Sequence, residues 1–234
     1  MAAPVVLRYA TNAPEKSVYG QQLARFALNV AEETGGSVKL DVYYGGQLGK
    51  ENDVVQQIAR GRIDAGSNGI TFWSTLVPEL QLLLLPMYFR SPAELDCTID
   101  NGLAATIVRR LEGKGARVIG WGDGSTIEMV GKRPFTSPAD LAGAKAGTYG
   151  SRGGVLMWQA LGAHPTPTSF AELAPGFQTG LLDVSVTVPS YYVPTGLNKI
   201  APVMTRLDLY FNSSLTVVSQ AAWERLSPAQ RDGL

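Results

Sequence analysis

Leu141-Ala-Gly-Ala-Lys-Ala-Gly-Thr-Tyr-Gly-Ser-Arg152, followed downstream by Leu161-Gly-Ala-His-Pro-Thr-Pro-Thr-Ser-Phe-Ala-Glu172, is the most informative stretch of the chain. It is punctuated by helix starts. Ser137-Pro-Ala-Asp140 precedes it and Ser169-Phe-Ala-Glu172 closes it, each a serine followed three residues later by an acid. Helices are expected around Gly153–Leu161 and Ala171–Thr179. Working outward, Arg117–Gly120 reads as a strand, and Val184–Val188 and Val203–Ser219 carry the apolar, β-branched runs of buried strands. The first half has the same style. Val5–Ala10 and Val38–Tyr44 read as strands. Tyr19, Leu23, Phe26 and Val30 fall on one helical face, and Val54, Val55, Ile58 and Ala59 mark another helix that stops near Gly61. Behind Ser91-Pro-Ala-Glu94, residues Leu95, Ile99, Leu103, Ile107 and Leu111 form a stripe at intervals of four. Alternation of this kind predicts α/β architecture with mostly parallel sheets.

Composition narrows the class. With 234 residues the chain has material for one large domain or two lobes of roughly 100 residues each. Hydrophobic residues make up 45% and charged residues 17%, which suits packed cores and not disorder. Lys+Arg and Asp+Glu each count 20, so no basic excess calls for nucleic acid or an anionic membrane surface. The longest apolar run, Leu82–Leu85, ends at Pro86, far short of a bilayer span. No direct membrane insertion is expected. Cys97 is alone, so no intrachain disulfide forms; it reads as an inert core residue. The start, Met1-Ala-Ala-Pro4, carries no charged-then-apolar signal sequence.

The chain resembles the DctP-type solute-binding proteins of TRAP transporters along nearly its whole length. The pieces occur in that family's order. They are Tyr43-Tyr-Gly-Gly-Gln-Leu-Gly-Lys-Glu51, Gly61-Arg-Ile-Asp-Ala65, Pro78-Glu79, Pro86-Met-Tyr-Phe89, Lys132-Arg-Pro134 and Pro138-Ala-Asp-Leu-Ala-Gly143. Leu161-Gly-Ala163, Phe170-Ala-Glu172, Gln178-Thr-Gly-Leu-Leu-Asp183 and Leu226-Ser-Pro228 complete the series. The resemblance implies a two-lobed clamp like that of periplasmic binding proteins, each lobe a mostly parallel sheet flanked by helices. Lobe I would take residues 3–120 plus 213–234 and lobe II residues 121–212, with the ligand cleft between the lobes. The family's C-terminal helical region is missing beyond Leu234. A periplasmic location is implied, with any signal peptide already removed, and so is delivery of a small-molecule solute to TRAP membrane subunits by a monomer.

The same resemblance questions the ligand. Its segment usually reads L-x-G-x-K-x-R, with the arginine holding a substrate carboxylate; counted without a gap, that position is Gly147 here. A guanidinium grips a carboxylate through two parallel hydrogen bonds, and glycine offers only a backbone amide. The family's second cationic position falls at Thr126, and the acid–amide pair expected after Asp183 is replaced in Val184-Ser-Val-Thr-Val-Pro189, which offers Thr187. The site is either rebuilt or drifting in a non-binding paralogue. Arg152 is the candidate replacement cation, against the plain alternative of a solvated arginine. Tyr149-Gly-Ser-Arg-Gly-Gly154 offers backbone amides at a helix start. Phe170 matches a family position where a ring packs on the solute, and Trp73, Tyr149 and Tyr191 are further aromatic candidates. Asn12 and Asn68 follow strands where a polar contact fits, or are ordinary turn residues. Glu128 is expected on a surface strand and Glu172 in a helix cap.

Catalysis has little support. His164 is the only histidine, sits in a loop reading and has no acid at a recognisable spacing. One His, one Cys and no acidic cluster argue against a metal, and no cofactor motif is present. The expectation is a non-enzymatic receptor for a small organic solute, an acid held without the family arginine and with an aromatic or otherwise apolar body. An uncharged solute, or a sensor module serving a signalling partner, are the alternatives.

Overall fold

The computed structural model describes residues 3–122 and 125–234; Met1 and Ala2 of the chain start, and Asp123 and Gly124 of the expected second lobe, lie outside the described residues. In chain order the elements are β1 (Val5–Thr11), α1 (Val18–Glu33), β2 (Val38–Tyr43), α2 (Glu51–Ala59), β3 (Ala65–Gly69), α3 (Ile70–Trp73), α4 (Pro92–Thr98), α5 (Ala104–Glu112) and β4 (Ala116–Gly122). They continue with β5 (Glu128–Gly131), β6 (Lys145–Thr148), α6 (Arg152–Ala160), β7 (His164–Pro167), α7 (Phe170–Thr179), β8 (Val184–Thr187) and α8 (Pro189–Tyr192). The last are β9 (Val203–Thr205), β10 (Ser214–Ser219), α9 (Gln220–Glu224) and α10 (Pro228–Asp232). Two compact units result. The first takes Met1–Val77, Gly102–Asp123 and Ser213–Leu234; the second takes Pro78–Asn101 and Gly124–Asn212. The α/β architecture is the one expected, a mixed sheet in each unit.

In the first unit the sheet order is β2-β1-β3-β10-β4. β1 pairs in parallel with β2 and β3, whereas β10 runs antiparallel between β3 and β4. Amphipathic α1 covers one face because Leu23 and Val30 fall where Leu7, Tyr9, Val38 and Val218 need covering. Asp64, just ahead of β3, is 8% exposed and fastens three elements. It accepts the Arg8 main-chain N–H at 2.8 Å and the Arg225 guanidinium at 2.5 Å, which ties β1 and the end of α9 to the entry of β3.

The second sheet, β7-β6-β8-β5-β9, repeats the plan. β7, β6 and β8 are parallel, and β5 runs antiparallel between β8 and β9. Trp158 of α6 and Leu173 and Phe177 of α7 are at most 1% exposed and form its core with Leu182 and Val184. Asp183 accepts the Lys145 main-chain N–H at 2.9 Å and so fixes the start of β6. The loop expected at His164 is an edge strand. Its two prolines, Pro165 and Pro167, hid that, yet an edge tolerates proline wherever the missing N–H would face outward.

The stripe at intervals of four is explained by a π-helical segment, Ile99–Leu103, between α4 and α5. A regular helix of 3.6 residues per turn would carry such a stripe steadily off one face, and the wider π turn compensates. Leu95, Ile99, Ile107 and Leu111 are accordingly all buried. Cys97, expected in a core, lies instead on the exposed side of α4, because the buried face is set by Leu95 and Ile99. Among the described residues no helix is long and apolar enough to cross a membrane.

Tyr9 gives this core a pH limit. Its hydroxyl shares hydrogen bonds with Thr216 and Ser67, and burial pushes its pKa from 10.0 up to about 12. The folded pKa is raised, so stability is complete below pH 10 and falls as the pH climbs from about 10 toward 12. Compared with Tyr9→Phe, the wild type should lose about 1–2 kcal/mol more between pH 8 and pH 11, read from urea unfolding at each pH.

Candidate functional site

In the second unit, β6 ends at Thr148 and delivers Tyr149, while the N-terminus of α7 delivers Phe170 and α8 delivers Tyr191. The three rings form a ladder. Tyr149 and Phe170 have centroids 4.4 Å apart, and Phe170 and Tyr191 4.8 Å apart, with interplanar angles of 35° and 43°. The Tyr149 hydroxyl donates to the Val186 carbonyl at 2.5 Å, which locks the first ring against β8. Phe170 is placed by a capping box: the Glu172 carboxylate accepts the Ser169 main-chain N–H and hydroxyl, both at 2.9 Å. Glu172 is therefore the cap residue expected from sequence. Sequence reading named all three rings, and the fold brings them together.

Arg152 stands exposed in the first turn of α6, whose cap Ser151 accepts the Gly154 main-chain N–H at 3.1 Å. The loop Tyr149–Ser151 thus leads straight from the aromatic ladder into a helix N-terminus, a place suited to anionic oxygens. Thr126 forms an isolated antiparallel bridge with Phe211. Thr187 ends β8 wholly buried, and its Oγ1 has no hydrogen-bond partner among the described residues.

Gly147 lies inside β6, fully buried, and close packing holds it as glycine. A Cβ there would sit 2.7 Å from Ser185 Oγ, 3.1 Å from Ser185 Cβ and 3.2 Å from Leu182 Cδ1. The Ser185 hydroxyl occupies that space and donates to the Gly147 carbonyl at 3.2 Å. Sequence reading found the unusual glycine but missed its partner, because only β8 packed beside β6 brings position 185 onto it.

Glu128 is a correction. Expected on a surface strand, it is 2% exposed in β5. Its Oε2 accepts the main-chain N–H groups of Leu207 at 2.7 Å and Asp208 at 3.1 Å. That segment follows β9 and needs acceptors once the strand ends, and the carboxylate supplies them.

The first unit carries the remaining candidates. Thr11 pairs with Ser67, so Asn12 and Asn68 continue that register side by side at the carboxyl ends of parallel β1 and β3. The loop after β2 folds over Asn12, with the Gly46 main-chain N–H donating to the Thr11 carbonyl at 3.1 Å. Trp73, in α3 directly after β3, is fully buried. The Nδ2 groups of Asn12 and Asn68 and the Trp73 indole N–H are buried without a partner among the described residues. Buried donors of this kind are costly unless a ligand or ordered water completes them. Among the described residues no cluster of His, Cys, Asp and Glu is arranged to hold a metal.

The contact between Gly147 and Ser185 sets a stability test. Gly147→Ala should cost about 1–3 kcal/mol by overpacking. Combined with Ser185→Gly it should cost about 1 kcal/mol or more less than the sum of the two single changes, measured by urea unfolding as a double-mutant cycle.

The family model for bacterial extracellular solute-binding proteins, family 7 (DctP), matches residues 9–234. A solute-binding protein of Verminephrobacter eiseniae is 25% identical over 236 residues, covering 98% of this chain and 69% of that protein. The 2,3-diketo-L-gulonate-binding periplasmic protein YiaO of Escherichia coli is 26% identical over 204 residues, covering 87% of this chain and 62% of its own length. The chain thus spans between 62% and 69% of these two relatives' length. Among solved structures, the TRAP periplasmic solute-binding protein of Sulfitobacter sp. NAS-14.1, with bound β-D-galacturonate, superposes with a TM-score of 0.93 at 24% identity, covering 97% of this chain and 76% of that one. The Chromohalobacter salexigens counterpart with bound D-glucuronate has a TM-score of 0.91 at 25% identity, with the same two coverages. With its family model matched from the first strand to the last residue and its fold shared with these receptors, the chain belongs to the DctP-type solute-binding proteins of TRAP transporters, family 7 of the bacterial extracellular solute-binding proteins.

Proposed function

We propose that this protein is an extracytoplasmic, periplasmic receptor that binds a small hydroxylated organic acid and hands it to TRAP membrane subunits, without catalysing a reaction. The observation that carries this reading is the ladder Tyr149–Phe170–Tyr191 running into the N-terminus of α6. Its rings suit the C–H face of a compact ring or chain, and the helix start with Arg152 suits the carboxylate. Support for the solute class comes from the relatives. The Sulfitobacter protein holds galacturonate, the Chromohalobacter protein holds glucuronate, and a Roseobacter denitrificans protein holds L-galactonate.

Gly147 and Thr126 offer no cation, and that favours a second reading in which the solute is an uncharged hydroxylated molecule. The two readings differ in one residue's importance. In the first, Arg152→Ala weakens binding of an acid by about tenfold or more, through loss of one charge-assisted contact. In the second it changes nothing.

A thermal-shift screen with galacturonate, glucuronate and galactonate against galactose and glucose decides between them. At ligand concentrations about 100-fold above Kd the stabilisation is about 2.7 kcal/mol, enough to raise Tm visibly. Phe170→Ala should reduce the affinity for the best ligand by about tenfold in calorimetric titration. If none of these acids or sugars stabilises the protein at millimolar concentration, the receptor reading for this solute class is wrong.

A further inference from the structure

β2 forms one edge of the first sheet, and its outer side is a regular pairing surface. The other sheet edges are interrupted. β7 carries Pro165 and Pro167, β9 is three residues long, and β4 has Ile119 as an extra residue where its register with β10 shifts. β2 has neither proline nor bulge, and its six residues keep unbroken parallel register with β1. The Val5 N–H donates to the Ser37 carbonyl at 2.8 Å. In a parallel ladder this turns the main-chain groups of Lys39 and Asp41 toward β1, and those of Val38, Leu40 and Val42 outward. Thr34 Oγ1 accepts the Val38 N–H at 3.1 Å. The outward N–H and C=O groups of Leu40 and Val42 have no partner among the described residues.

Charge selects what pairs there. Lys39 and Asp41 are exposed, and neither has an ion pair among the described residues, because neighbouring Arg8 turns to Asp64 at 3.6 Å. The Tyr43 hydroxyl donates to the Asp41 carboxylate at 2.8 Å and steadies it beside the edge. A closed two-fold pairing of this edge is antiparallel and sets outward residues against outward residues. Centred on Lys39 or on Asp41, it would oppose two like charges directly, which is destabilising. Centred on Leu40, it sets Lys39 of each copy against Asp41 of the other, twice. Those positions fall in the non-hydrogen-bonded class, where opposed side chains come closest. In the same register Leu40 exchanges both main-chain bonds with its symmetry mate, and the Val42 N–H meets the Val38 carbonyl of the other copy. We infer that β2 is a self-association edge, through which a second copy of this chain joins antiparallel in the register centred on Leu40. The joint is one strand wide, so it makes a weak dimer, with Kd on the order of 10–100 µM. The monomer expected from the family resemblance is its dilute form.

Sedimentation velocity of the full chain from about 5 to 500 µM tests this. The mass should rise from 25.0 kDa toward twice that value, and less so in about 0.5 M NaCl, which screens exposed charge pairs. Hydrogen exchange at the two ends of the range should show the Leu40 and Val42 amides slowing with concentration. Lys39→Asp alone and Asp41→Lys alone each oppose like charges and should weaken the dimer about tenfold. An equimolar mixture of the two variants should associate again, since every opposed pair then carries opposite charges. A chain with both changes should behave as the wild type does. Thermal midpoints check that each variant is folded. Protein that stays at 25.0 kDa across the range overturns the inference, as does a dimer whose Leu40 and Val42 amides exchange as fast as in the monomer. A dimer indifferent to both single changes overturns it too, and so do folded variants that remain apart when mixed.

Discussion

β10 uses both of its edges at once: one edge bonds β3 and the other bonds β4, each antiparallel. Without it the parallel group β2-β1-β3 would end in an open edge and β4 would have no partner. β5 stands in the same position in the second unit, between β8 and β9. Each sheet thus depends on one antiparallel strand that is not part of the local strand–helix–strand run. The arrangement has a direct effect on the candidate site. β5 brings Glu128 opposite Thr187, and so places a carboxylate on a face that the parallel strands alone would have left neutral.

The candidate site is shaped by packing before it is shaped by charge. Leu182 fills the space between Gly147 and Gly176, and Ser185 closes over Gly147 from β8. A longer side chain at 147 is therefore excluded by Ser185 and Leu182 together, and a single change at that position would not rebuild a cationic grip. The aromatic ladder is fixed in the same way. One ring is tied to Val186 by its hydroxyl, and the next sits inside the capping box, one residue after the cap Ser169. Rigid rings and committed hydroxyls leave few polar atoms free, and those few carry the selectivity.

Much of the fold was legible because local signals agreed with one another. Each Ser-Pro-Ala or Ser-Phe-Ala start with its acid three residues on became a capped helix or turn, as at Ser91, Ser137 and Ser169. The aromatic residues of the site were legible too, since each follows a strand end or opens a helix. What the sequence hid was pairing at long range. Glu128 looks like an ordinary strand acid until Leu207 and Asp208 fold back onto it from 79 and 80 residues away. Ser185 looks unremarkable until β8 lies against β6. Cys97 was misplaced because it was read from its residue type, whereas the face set by Leu95 and Ile99 turns it outward.

The two prolines that concealed β7 also protect it. The His164 amide donates inward to the Ala144 carbonyl, and the Thr168 amide to the Thr148 carbonyl. Alternate residues of a strand point to opposite edges, so Pro165 and Pro167 occupy the outward positions and leave that edge without two amide donors. A stray extended segment finds no complete ladder there. The outermost strand of the second sheet is thereby a poor template for the edge-to-edge aggregation that threatens exposed sheets.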